Sequence, residues 1–243
     1  MKPAAAILAA PGTNRHNDVA AAFQLAGATT TVVHLAELRA QPAIIGTAQI
    51  LVVAGGFSFA DATGSGRLFA LELADILGDG INHHVAGGRP VIGICNGFQA
   101  LMRLGILVGD EPANLAHNAS GQFVCRWVEL APNPTSVCVW TRTLREPIAC
   151  PVAHGEGRFL ANDVTLASLR ANGQIALAYT GVNPNGSVDN IAGICDPTGL
   201  VLGLMPHPEN HIFPYQHPRF SRGESGGTGL ALFEAGVNFA QDT

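Results

Sequence analysis

Lysine is almost absent. Of 243 residues Lys2 is the only one, and the other twelve of the 13 basic side chains are arginines. A phosphate-cradling P-loop needs a lysine behind its glycines, so that route to ATP is excluded for this chain. Charge of either sign is scarce: 13% of residues are Asp, Glu, Lys or Arg, against about 25% in ordinary globular chains. The net charge of −5 offers no clustered basic footprint, which excludes a nucleic-acid-binding face. No stretch approaches the ~18 uninterrupted apolar residues of a membrane span. The opening MKPAAAILAAPG is too short an apolar run for a signal peptide. The cysteines number five, an odd count without a CxxC pair, which argues against a zinc site or a disulfide framework. These absences predict a soluble, cytoplasmic chain.

What is present is apolar. Hydrophobic residues make up 47% of the chain, enough for one sizeable α/β core, and the little charge left for the surface suits a chain that docks on a partner. The first hundred residues alternate. Ala4–Ala9, Thr29–His34, Ile50–Ala54 and Pro90–Ile94 read as strands; Asp18–Ala26, Arg67–Leu77 (continuing toward Val85) and Gly97–Leu104 read as helices. Strand and helix in alternation imply a parallel sheet covered on both faces. From about Gln122 short strand-like runs follow closely: Phe123–Leu130, Val137–Trp140, Ile175–Ala178, Ile191–Cys195 and Val201–Met205, separated by turns such as Asn183-Pro184-Asn185-Gly186. They predict an antiparallel extension of the same domain, closed by a helix over Thr228–Phe239.

The chemistry concentrates in three places. Gly93-Ile94-Cys95-Asn96-Gly97 is a G-x-C-x-G nucleophile elbow. A sharp strand-to-helix turn presents its central side chain at the carboxyl edge of the sheet, and the helix N-terminus favours a thiolate there; a buried core cysteine is the plainer alternative. Gln99 lies one helical turn further along the same face, placed to touch a ligand over the thiol. Met205-Pro206-His207-Pro208-Glu209 supplies a base and a carboxylate to orient it. Two prolines hold that chain extended, so His207 and Glu209 project to one side. The turn at Gly55-Gly56-Phe57 offers backbone N–H groups of Gly56 or Phe57, which with that of Asn96 form a candidate oxyanion hole. Each piece has a bland reading: a turn histidine beside a solvated glutamate, a solvated glutamine, a tight turn.

Taken together the pieces resemble a class I (triad) glutamine amidotransferase. The spellings APGTNRHND, GGFSFAD, GICNGFQALMRLGIL, FVCRWVEL, PVAHGEGRF, NPNGSVDNIAGICD and GLMPHPE resemble the glutaminase subunits of phosphoribosylformylglycinamidine synthases of purine biosynthesis. The resemblance implies an open, mostly parallel, doubly wound, flavodoxin-like sheet with an antiparallel extension, all one domain over residues 1–243. It implies Cys95 as nucleophile, His207 as base and acid, Glu209 as orienter, and Gln99 with the loop His154-Gly155-Glu156-Gly157 lining a glutamine pocket. The other four cysteines are then structural, and the chain needs no metal or cofactor of its own. ATP and Mg²⁺ belong to a partner synthetase subunit, and a small third subunit bridges the two. Three features depart from the family's usual pattern: Ala60 where a glycine is common, Asn210 where an arginine commonly follows the His-Pro-Glu, and a long segment from His211 to Gly227. Readings from other classes are a free-standing cysteine hydrolase of γ-glutamyl compounds and a non-catalytic scaffold subunit.

Overall fold

The structure, a computed structural model, describes residues 1–224 and 226–242. In chain order it runs β1 (Ala4–Ala9), α1 (His16–Leu25), β2 (Thr29–His34), α2 (Leu35–Ala40), β3 (Ile50–Val53), α3 (Arg67–Leu77), α4 (Gly80–Ala86), β4 (Val91–Ile94) and α5 (Asn96–Arg103). There follow β5 (Ala113–His117), β6 (Val124–Pro132), β7 (Ile148–His154), β8 (Glu156–Ala161), α6 (Asp163–Ala171), β9 (Ile175–Thr180), β10 (Ile191–Cys195), β11 (Val201–Leu204) and α7 (Leu230–Asp242). Short 3₁₀ turns fill several connections.

Nine strands form one sheet in the order β2-β1-β3-β4-β11-β10-β9-β6-β7, and β5 pairs with β8 in a separate ribbon. The ladders from β2 to β11 are parallel; those from β11 through β7 are antiparallel. This is the mostly parallel sheet with an antiparallel extension that the sequence implies. Every residue of β3, β4 and β11 is buried, which is why those strands read as continuous apolar runs rather than alternating ones. Right-handed crossovers step left from β1 to β2 and right from β3 to β4, which puts α1 and α3 on opposite faces. On the α1 side, Phe23 meets Phe233 of α7 and Trp140 edge-on, with ring centroids 5.1 and 6.2 Å away. On the other side α5 packs over β3, β4 and β11.

Two expectations fail on local grounds. The α3 helix does not run on toward Val85: Gly78, at φ 50, breaks it, and α4 starts afresh at Gly80. In Val137–Trp140, where Val137 is exposed, the other three residues are apolar because they are buried, not because the run is extended. Its backbone bonds to two loops, Val137 N–H to Gly173 O (3.0 Å) and Val139 N–H to Gly199 O (2.9 Å). The fully buried Trp140 donates its indole N–H to Leu200 O at 3.0 Å.

Candidate active site

Strand β4 ends at Ile94 and α5 begins at Asn96, so Cys95 alone turns the chain from one to the other. Its backbone sits at φ 51, ψ −105, a conformation that costs a non-glycine residue about 1–3 kcal/mol. Two contacts hold it there. Cys95 N–H donates to Leu204 O of the neighbouring strand at 2.7 Å. On the helix side α5 lies so close to the sheet that a Cβ on Gly97 would fall 1.9 Å from Val53 O. A Gly97→Ala variant is therefore expected to lose roughly 4 kcal/mol or more, read as a fall in Tm of about 10 °C for a chain of this size.

Strand β11 delivers His207 to the same edge. Cys95 and His207 stand more than a hundred residues apart in sequence, yet β4 and β11 are parallel neighbours with Ile94 opposite Leu204. The imidazole comes close enough to Cys95 for the two side chains to interact electrostatically. Gly55 fits between them: a Cβ there would lie 3.1 Å from His207 Cε1 and 3.5 Å from Cys95 Cβ. His207 Nδ1–H donates to Glu209 Oε1 at 2.7 Å, the two side chains being 5% and 0% exposed. The contact is made across a 3₁₀ turn at Pro208–Asn210, not along the extended chain expected from the two prolines. The far end of the sheet curls back over the site: His207 N–H donates to Pro151 O of β7 at 2.8 Å, and Ala153 O lies 4.0 Å from Cys95 Sγ.

Electrostatics follow from this burial. Burial alone would lower the His207 pKa, but the Glu209 carboxylate, and after it Cys95, overrule that and push it up to about 10. The ring is protonated at neutral pH, a cation held between a carboxylate and the thiol. Cys150, close by, goes the other way: burial first, then the charge of Glu209, push its thiol well up, so it stays protonated and inert.

Of the oxyanion donors expected at the Gly55–Phe57 turn, Phe57 is excluded, because its N–H donates to Gly12 O at 3.1 Å. The N–H groups of Gly56 and Asn96 find no acceptor among the described residues, Asn96 because it opens α5. The Asn96 side chain joins the two segments: its Oδ1 accepts from the Ser58 hydroxyl and from Ser58 N–H (3.3 Å), and its Nδ2 donates to Asp61 Oδ1 (3.2 Å) and Gln99 Oε1 (3.0 Å). Sequence reading did not single out Ser58 or Asp61 for a role. The only signal was their place in GGFSFAD, directly after the glycine turn.

The residues expected at the glutamine pocket gather around α5 and the junction of β7 and β8. Gln99 is buried and directs its amide inward: Oε1 accepts from Asn96, and Nε2 donates to the backbone oxygen of Glu156. Gly155 O accepts from Asn118 N–H at 2.9 Å. The Glu156 carboxylate takes a hydrogen bond from Ser65 N–H at 3.3 Å. It faces Asp61, whose own pKa is raised by burial first and by Glu156 in addition. His154–Gly157 is not a loop: His154 ends β7 and Glu156 opens β8.

The three departures have structural readings. Phe59, Ala60 and Asp61 sit at φ 53, 54 and 52, so Ala60 holds a left-handed conformation that glycine would take without strain. Asn210 Nδ2 donates to Asp18 Oδ2 at 3.2 Å. Residues 211–227 fold as short 3₁₀ turns, with Ser225 outside the described residues, and rejoin the sheet where Gly227 bridges Ile148. Among the described residues no cluster of His, Cys, Asp or Glu is arranged to hold a metal ion, and no helix is long and apolar enough to cross a membrane.

The chain is 44% identical to the phosphoribosylformylglycinamidine synthase subunit PurQ of Treponema denticola, over 98% of this chain and 99% of that one. It is 41% identical to the subunit of the same name from Dehalococcoides mccartyi, over 97% and 96%. Among solved structures it superposes on PurLQS from Thermotoga maritima with a TM-score of 0.79 and 29% identity, covering 98% of this chain and 99% of that one. Residues 2–240 match the CobB/CobQ-like glutamine amidotransferase domain, and the chain belongs to that family.

Proposed function

We propose that this chain is the glutaminase subunit of a phosphoribosylformylglycinamidine synthase, acting in the cytoplasm. The observation that carries the reading is the buried Cys95–His207–Glu209 line, with the imidazole hydrogen-bonded to the carboxylate and Gly55 packed against both the ring and Cys95. Cys95 thiolate attacks the side-chain carboxamide of glutamine. The tetrahedral oxyanion is held by Gly56 N–H and Asn96 N–H, each such donor worth about a hundredfold or more in rate. His207 gives its proton to the departing nitrogen, and ammonia leaves a γ-glutamyl thioester. Water, deprotonated by His207, then releases glutamate and restores the Cys95 thiolate beside a protonated ring. Glu209 holds the ring and its charge, and Gln99 with Gly155 and Glu156 walls the glutamine pocket.

Ammonia set free in neutral water takes up a proton and ceases to be a nucleophile, so it passes directly to a synthetase subunit. That partner binds ATP, Mg²⁺ and formylglycinamide ribonucleotide, and a small third subunit bridges the two. Phe57 and Phe123 support docking beside the site: they are 40% and 54% exposed, with ring centroids 6.2 Å apart, and exposed aromatic pairs are favoured interface material. The triad residues are all under 6% exposed in the isolated chain, which supports opening on assembly. The test is co-purification with the synthetase, then turnover with glutamine and with ammonium salt. The complex is expected to use both, and the isolated chain to hydrolyse glutamine far more slowly than the complex. A chain equally active alone, or active on γ-glutamyl peptides, is a free-standing hydrolase instead.

A further inference from the structure

Asn118, just past the end of β5, is buried, and no step of the chemistry above uses it. Its side-chain nitrogen donates to Gln122 O at 2.9 Å and to His154 O at 2.8 Å. Both amide hydrogens are thereby spent on carbonyl oxygens, which fixes the orientation of the group. The atom facing His154 Nδ1, at 3.0 Å, is then the amide oxygen Oδ1. An amide oxygen only accepts, so His154 Nδ1 carries the proton and Nε2 carries the lone pair.

His154 is 3% exposed, and its Nε2 has no hydrogen-bond partner among the described residues. Buried polar atoms in native proteins nearly always find a partner, so an orphan next to a reactive centre calls for a ligand. The ring is packed against Gly157, where a Cβ would come within 2.5 Å of it. Gly157 O is in turn held by Asn185 Nδ2 at 2.8 Å. Burial first, and the charge of nearby His207 second, push the His154 pKa down to about 4. The residue before it, Ala153, puts its backbone oxygen 4.0 Å from Cys95 Sγ, so this neutral imidazole stands on the segment that covers the reactive centre.

We propose that Asn118 is a positioning residue of the glutaminase: it locks His154 in the Nδ1–H tautomer, so that Nε2 accepts an N–H from the carboxamide bound at Cys95. The inference rests on the glutaminase reading of the site. It explains why a chain would bury an acceptor unpaired: the donor arrives with the substrate. Glutamate, whose side chain ends in a carboxylate at neutral pH, lacks that donor.

The test is nitrogen NMR of histidine-labelled protein, supported by kinetics of the complex. The wild-type chain is expected to show His154 protonated at Nδ1. In a Cys95→Ala background, saturating glutamine is expected to shift the Nε2 resonance where saturating glutamate does not. Asn118→Leu is expected to release the tautomer and lower glutamine-supported kcat/KM about tenfold, the loss of one hydrogen bond. The change should be carried by KM, with ammonium-supported turnover unchanged. A proton on Nε2 in the wild type, equal shifts with both ligands, or an unchanged KM in folded Asn118→Leu overturns the proposal. If that variant does not fold, the two labelled proteins decide alone. Glutamine turnover surviving in Cys95→Ala would overturn the glutaminase reading instead and leave the tautomer result standing.

Discussion

Cys95→Ala is expected to remove glutamine-supported synthesis while leaving ammonium-supported synthesis intact. Alanine keeps the Cβ, and the elbow depends on backbone: the Cys95 N–H bond to Leu204 O and the packing of Gly97 on Val53 are untouched. The scaffold therefore survives, and what disappears is the only atom able to form the thioester. In a related hydrolytic triad, loss of the nucleophile costs about 10⁶ in kcat, and the oxyanion hole with binding keeps roughly 10³–10⁴ over water. A fall of about 10⁴-fold or more is the expectation here. Ammonium salt enters downstream of the glutaminase, so that rate should move by less than about twofold in a complex that still assembles, within the small effect of a distant, uncoupled site. The other cysteines give no substitute, since Cys95 alone stands at the turn from β4 into α5, facing His207. Parallel assays of one purified complex with the two nitrogen sources decide it, and glutamine-supported activity near wild type would sink the assignment.

The second large effect is expected from Glu209→Gln. Glu209 is buried, with Oε1 on His207 Nδ1 and Oε2 unpartnered among the described residues. Its charge is what overrules burial at His207. A glutamine keeps the volume but removes the charge and is free to offer the wrong end of its amide to the ring, a change that costs about 10⁴ in kcat where a triad carboxylate has been made an amide. Stability carries an independent signature. A folded-state pKa of about 10 for His207, against an ordinary value of about 6.5, means the native chain holds a proton the unfolded chain has lost. Stability from this group is complete below about pH 6.5 and drains away as the pH climbs to about 10. Thermal unfolding between those limits should show the decline in the wild type and a flatter profile in Glu209→Gln. Identical profiles would mean that Glu209 does not hold the proton on His207.

How much of this was legible beforehand depends on whether a segment's job is written in its own residues. The buried strands Ile50–Val53, Val91–Ile94 and Val201–Leu204 are, because a strand covered on both faces must be apolar throughout. The elbow at Cys95 is, because only a glycine at position 97 admits Val53 O so closely. Strand β7 is not: IACPVAH contains a proline and reads as broken chain. The strand survives because β7 lies at the sheet edge, where a missing N–H costs little. The ribbon of β5 and β8 has sequences, ANLAH and EGRFLA, with weak strand preference, and exists through its own pairing. Val137–Trp140 shows the converse, a run in which apolarity reports the burial of Cys138, Val139 and Trp140 and nothing of extension. Within the site, the side-chain partners of Asn96 and His154 were out of reach, since Ser58, Asp61 and Asn118 arrive from separate segments and carry no spacing rule.

The last strand to emerge in synthesis, β11, is inserted into the middle of the sheet between β4 and β10 rather than added at a rim. A nascent polypeptide truncated before residue 201 has the sulfur but neither the wall that props its bend nor the imidazole that serves it. Competence to cut glutamine thus appears only once residues 201–209 have been made and have folded in beside β4. Fragments and stalled products of the ribosome cannot squander the cell's amide nitrogen.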